Sequence, residues 1–290
     1  MFLETTLLFK TMLILCSQLS IILGVCFYCI REARKAYENN TSFAGIYFRG
    51  SMNMNKQLDL VPYTPSPEYY PSEMFKQVPS ESDATKSDTI TVMAMNKDQR
   101  KELIKDGYID KQNGRFLGVW FILWFISLFL CTVFASSGIS TQTGIIFFTL
   151  SSITFGPLLA LIMLEMDEND GFNALKIVFL VTLITGFIGF SDIYSFSENR
   201  FIEEFLFISL IGLIGFEFIR SSLKFSRMAI RLKAMFGAFV FSIFLLFDFN
   251  LLRKKSDFGI NDWDTAFNIA FNIYLDIINL LLELLDAMSN

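Results

Sequence analysis

The amino-acid sequence predicts an all-α integral membrane protein, a bundle of seven membrane-spanning helices, on three observations. The 290 residues are 53% hydrophobic and 16% aromatic, with 34 Phe and a mean hydropathy of +0.47, more apolar than an ordinary soluble domain. Apolar runs near the length that crosses a hydrocarbon core about 30 Å thick recur along the chain, at residues 7–30, 116–136, 143–164, 174–194, 201–219, 232–249 and 265–288. The last six follow one another across short loops, as antiparallel neighbours in a bundle do. The lipid bilayer is therefore the first expected partner.

This pattern divides the chain into an N-terminal transmembrane helix (1–30), a polar insert (31–115) and a six-helix core (116–290). The first run reads as a membrane helix rather than a secretory signal. Its flank holds the acid Glu4 with only Lys10 basic, and no small-residue cleavage site follows. Five of the six prolines fall between Pro62 and Pro79, followed by Ser, Asp and Lys. So polar a stretch offers little apolar area to offset its ordering entropy, and it is expected to be largely extended or disordered. Two roles suit it, a solvated linker or a docking segment for protein partners. Lys97–Lys105 is expected to form a short helix. The acid-rich runs Asp110-Lys-Gln-Asn-Gly114 and Met166-Asp-Glu-Asn-Asp-Gly171 lack the ligand spacing and terminal Glu of a calcium loop, and read as turns.

Composition also excludes function classes. The absence of His removes haem, most zinc chemistry and any imidazole general base, so a pH response has to come from carboxylates. A net charge of −5 gives no basic surface for nucleic acid. No Gly-x-Ser-x-Gly, Walker loop or Gly-x-Gly-Asp occurs, so an enzyme is not expected. Cys16, Cys26, Cys29 and Cys131 all lie inside apolar runs. Cys26-Phe-Tyr-Cys29 has redox spacing but no further ligands, and reads as small apolar residues on a helix. Small residues that let helices approach closely are expected at Thr182, Gly186 and Gly189, and at Gly212 and Gly215. Pro157 is expected to kink its helix, with Ser151, Ser152 and Thr154 serving either packing or a pore lining.

The last apolar run carries Asn268, Asn272, Asp276, Asn279 and Glu283. Their spacings of four, four, three and four place all five on one helical face. A carboxylate at mid-membrane costs roughly 2.5–3.5 kcal/mol on insertion scales and is kept where it faces other helices or water. A second acid, Asp248, ends the preceding run in Phe-Leu-Leu-Phe-Asp248-Phe-Asn250. Two close carboxylates in a low-dielectric site cannot both ionise cheaply and titrate as a coupled pair.

Residues 116–290 resemble the Bax inhibitor-1 (transmembrane Bax inhibitor motif) family. Asn272-Ile-Tyr274-Leu-Asp276-Ile-Ile-Asn279-Leu is similar to the family's last-helix signature. Phe236-Gly237-Ala through Phe-Asp248-Phe-Asn250 is similar to its sixth helix, and Phe147 to Pro157 to its third. Three departures stand out. Phe249-Asn250 replaces the family's Thr-Gln after the sixth-helix Asp. The second helix lacks the basic residue that pairs with the acids in some members. The loop between the first two helices is greatly expanded.

The resemblance implies a seven-helix bundle of Bax inhibitor-1 type and a pH-sensitive calcium leak, with Asp248 and Asp276 as sensor and gate. It implies no cofactor beyond Ca2+ held transiently by those two aspartates. Asn272, Asn279 and Glu283 take supporting roles, while Glu217 with Arg220, and Asp286, belong near the membrane interface. The alternative is an accessory subunit of a larger membrane complex that keeps the fold without transport. Basic residues flank the insert, which places it inside and the N-terminus outside, whereas the family implies a cytosolic N-terminus; orientation stays open. The sequons at Asn39 and Asn40 matter only for a lumenal insert. An organelle membrane is expected, of the ER/Golgi or the mitochondrial inner membrane.

Overall fold

A computed structural model describes residues 5–39, 41–44, 46–52, 58–63, 71–79, 87–110, 115–137, 140–165, 168–191, 193–223 and 225–288. Eight α-helices lie among them. They are α1 (Leu7–Glu38), α2 (Lys97–Lys105), α3 (Arg115–Ser137), α4 (Thr141–Glu165), α5 (Glu168–Phe190), α6 (Arg200–Ser222), α7 (Arg227–Asp257) and α8 (Trp263–Met288). Six of the eight are long and apolar enough to cross a membrane. Seven spans were expected, and the one that differs is 201–219, which falls in α6. That helix carries Arg200, Glu203, Glu204, Glu217 and Arg220 and holds only twelve uncharged residues between Glu204 and Glu217.

The chain folds as two compact units. One comprises Met1–Cys26 and Leu123–Asn290, the other Phe27–Ile122. The second unit contains strands where extended or disordered chain was expected. β1 (Tyr47–Met52) pairs antiparallel with β2 (Leu58–Tyr63), and β3 (Ser72–Pro79) pairs antiparallel with both β4 (Ser87–Ala94) and β5 (Ile109–Asp110). The physical reason is local. Thr89, Ile90, Thr91 and Val92 are β-branched in succession, and such residues suit a pleated ladder whatever the average polarity of the segment. Met74 and Ala94 are fully buried.

The short helix occurs where it was expected, at Lys97–Lys105, and its start is held by side-chain capping from Asn96 and Gln99. The Gln99 amide donates to Asn96 Oδ1 and the Met95 amide to Gln99 Oε1, each at 2.9 Å. Gly107, at φ +83°, turns the chain after it. The sequon asparagine Asn40, the prolines Pro65 and Pro67, and residues 111–114 and 166–167 of the acid-rich runs lie outside the described residues.

In the helical unit α8 is the central element, and 14 of its residues are buried. Its Phe267, Phe271 and Tyr274 rings surround Phe148 of α4, at centroid distances of 6.2, 5.3 and 4.7 Å. Gly189 lets α5 lie against α7, since a Cβ there would stand 2.7 Å from the Leu246 carbonyl oxygen. Gly186 likewise faces the Phe249 ring at 3.3 Å. Gly212 and Gly215 do not share that role: a Cβ at either would meet nothing within 4 Å, so among the described residues no neighbour approaches α6 there. Pro157 sits inside the continuous α4, where the Thr154 hydroxyl donates to the Leu150 carbonyl at 2.8 Å. The Cys26 thiol lies 3.7 Å from Met163 Sδ and joins α1 to α4.

Candidate functional site

The site is built where α6, α7 and α8 meet. α7 and α8 run antiparallel, so acids near the end of one face the early half of the other. Asp248 and Asp276 are buried, at 7% and 9% exposure, and their carboxyl groups lie within hydrogen-bonding reach of each other. They line a single cavity of about 370 Å³. Asn272 lines it too, and so does Glu203 from the first turns of α6. Glu203 carried no signal in the sequence beyond being an acid at the edge of an apolar run.

The polar stripe of α8 continues past this cavity into a second one of about 460 Å³, which Asn279 and Glu283 line. Leu210 of α6 borders both. Glu283 therefore does not stand beside Asp276 but half a cavity row further on, salt-bridged at 2.8 Å to Lys233 of α7. Arg220 lies 3.6 Å from Glu217 as expected. It also grips Asp286 with both nitrogens, at 2.6 and 3.0 Å. The sequence patterns assign Lys233 no role. Its position one turn before Gly237 is the signal that marks it, because both residues then face Glu283. Ser151, Ser152 and Thr154 are buried in α4 and line neither cavity.

Asn250, which replaces the family's Gln, is wholly buried and ties the α5–α6 connection to α7. Its amide donates to the carbonyls of Gly189 (3.1 Å) and Tyr194 (3.3 Å), and its oxygen accepts from the Ser197 amide and hydroxyl. The opposite side of α8 offers a different surface: a cavity of about 500 Å³ between α1 and α5 is lined almost entirely by apolar side chains. Among the described residues no three of His, Cys, Asp or Glu converge on a metal position. A cation at Asp248 and Asp276 would thus hold two protein carboxylates and complete its shell with water.

A family model described as "Inhibitor of apoptosis-promoting Bax1" matches residues 89–290. The chain belongs to the Bax inhibitor-1 family. The match begins within β4 and takes in α2 as well as α3 to α8, so it starts upstream of residue 116. Membership and the apolar helices make the chain an integral membrane protein of Bax inhibitor type. No characterised relative matches the chain.

The start of α8 is fixed by Asp262, whose carboxylate accepts from the Thr265 amide at 2.7 Å and from its hydroxyl at 3.0 Å. The Thr265 backbone hydrogen bond is the largest influence holding the Asp262 carboxyl below its ordinary range. A group with a depressed folded value stabilises the fold above its unfolded value and loses that contribution as pH falls through the folded one. Asp262→Ala is therefore expected to cost about 1 kcal/mol at neutral pH, the usual worth of such a cap. The difference from wild type should fade below about pH 4, where an ordinary carboxylate protonates. Thermal unfolding of both proteins in detergent at the two pH values checks this.

Proposed function

We propose that this member of the Bax inhibitor-1 family is a pH-sensitive calcium or cation leak channel, with ions moving along the α6–α7–α8 groove under the control of Asp248 and Asp276. One observation carries the reading. Two buried acids on adjacent helices line the same cavity within hydrogen-bonding reach. With one proton between them they tie α7 to α8. With both ionised they repel, the helices part, and four hard oxygens face a passing cation. Asn272 and Glu203 line the approach.

The test is Ca2+ efflux from liposomes that contain the purified chain, measured across pH. A leak that rises with pH is expected, and no leak at any pH would refute the reading.

A second reading, an accessory subunit of a larger membrane assembly, draws on the compact strand-containing unit at Phe27–Ile122. Co-purification in a stable complex with no flux from the isolated chain would favour it. The membrane is taken to be that of the ER/Golgi or the mitochondrial inner membrane, and microscopy of a tagged chain decides between them.

A further inference from the structure

The second cavity holds a charge cluster that the aspartate gate does not use. Three helices contribute to it: Glu217 and Arg220 from α6, Lys233 from α7, and Glu283 and Asp286 from α8. Arg220 and Asp286 satisfy one another through the two-pronged pair described above. That leaves the Lys233 ammonium between two carboxylates on different helices, 2.5 Å from Glu217 Oε1 and 2.8 Å from Glu283 Oε1. An ammonium held by oxygens on the wall of an open cavity stands where a metal cation would stand.

Two further features show that the position is built rather than incidental. Glu283 is 8% exposed, and its second oxygen, Oε2, is buried with no hydrogen-bond partner among the described residues. Its carboxylate also rests on bare backbone. A Cβ at Gly237 would lie 2.5 Å from Glu283 Cδ and 2.7 and 2.8 Å from the two oxygens, so any side chain there would evict the group. Charge balance matches a divalent ion. Without Lys233 the carboxylates of Glu217 and Glu283 carry two negative charges, which one divalent cation neutralises.

We propose that Lys233 is a tethered counter-ion occupying a second cation site in the groove, formed by Glu217 and Glu283, which takes a divalent cation such as Ca2+ when the ammonium is removed. Its action as a plug rests on the leak reading, in which it stands in series with the aspartate pair across Leu210. The physical basis is that the buried Glu283 carboxylate, facing the half-exposed Glu217 carboxylate and stripped of its counter-charge, is unfavourable, and hard oxygen donors recruit a hard cation to replace it. Lys233 sits in the second turn of α7, close to Arg227 and Arg231 at the start of the helix, so its flexible stem can carry the ammonium towards water.

The experiment is a calorimetric titration of the full-length chain in detergent with Ca2+, paired with flux from liposomes. Lys233→Met is expected to gain a Ca2+ site that wild type lacks, and Lys233→Met with Glu283→Gln to lose it again. Flux through Lys233→Met should rise about tenfold, at the lower end of what a focused charge does to ion entry. Ca2+ should also raise the Tm of Lys233→Met and leave that of wild type unmoved. Lys233→Gln, which keeps a neutral donor for both carboxylates, carries the same test if the methionine variant does not fold. A folded variant that binds no more Ca2+ than wild type overturns the proposal. The binding arm is independent of transport. A gained site in a chain without flux removes the leak reading and leaves the site, whereas wild-type leak with no gained site removes this proposal alone.

Discussion

Asp276→Asn is expected to flatten the pH dependence of Ca2+ flux, holding it at the low-pH level of wild type throughout. Asparagine is close in shape to a protonated aspartic acid, and its amide can donate to Asp248 at every pH. The tie between α7 and α8 is then permanent. In wild type the tie breaks only when the last proton leaves. Two unit charges about 4 Å apart at an effective dielectric constant of 20 repel by about 4 kcal/mol, so the ionised pair pushes the helices apart. That energy corresponds to roughly three decades in an equilibrium, and a flux difference of at least about tenfold between the ends of the wild-type profile is a modest demand on it. The sign follows directly: flux rises with pH, because deprotonation creates both the repulsion and the ligands. Asp248→Asn should act in the same direction. If both variants keep the wild-type pH profile, the pair is not the sensor.

Much of this site was legible in the chain because helical periodicity converts spacing into a face. Residues 272, 276, 279 and 283 could be placed on one stripe of α8 without coordinates, and Asp248 announced itself as an acid inside an apolar run. Which wall each residue meets was not legible. Asn272 and Asp276 open on one cavity, Asn279 and Glu283 on the next, and that division depends on how α6 lies across them. Lys233 carried no assignment for a related reason. A lysine near a helix start looks solvated until a partner helix brings Glu283 beside it, and Gly237 gains meaning only from the carboxylate resting on it.

Helix limits show the same division between local and tertiary information. The apolar run 7–30 became α1 to Glu38, because the charged residues beyond it are good helix formers and Lys35 pairs with Glu32 at 2.6 Å. α7 overruns 232–249 at both ends, and its last turns are laced by Arg253 and Asp257 at 2.8 Å. Hydropathy reads only the lipid-matched middle of such helices. The strands of the insert were hidden by its average polarity, although the β-branched run 89–92 carried the local signal.

Phe148→Ala is expected to be the most destabilising single change in the helical unit, by about 3–5 kcal/mol, the range for removing a buried aromatic ring. The ring is fully buried, and three aromatic side chains of α8 close on it in edge-to-face geometry. In a bilayer hydrophobicity does not drive helices together, so the loss comes from forfeited contacts and the cavity left behind. The consequence reaches the site. Tyr274, whose ring stands 4.7 Å from Phe148, precedes Asp276 by two residues, and two residues turn a helix by about 200°. The Phe148 cluster therefore clamps the side of α8 opposite Asp276 and keeps that aspartate turned towards α7. Phe148→Leu refills most of the volume and is expected to cost less than half as much while keeping the pH profile. Phe148→Ala should lower the unfolding midpoint in detergent and, where it still folds, blunt the pH response by letting α8 rotate. A Phe148→Ala protein within about 0.5 kcal/mol of wild type, the range of an ordinary surface change, would show that the aromatic cluster does not set the position of α8.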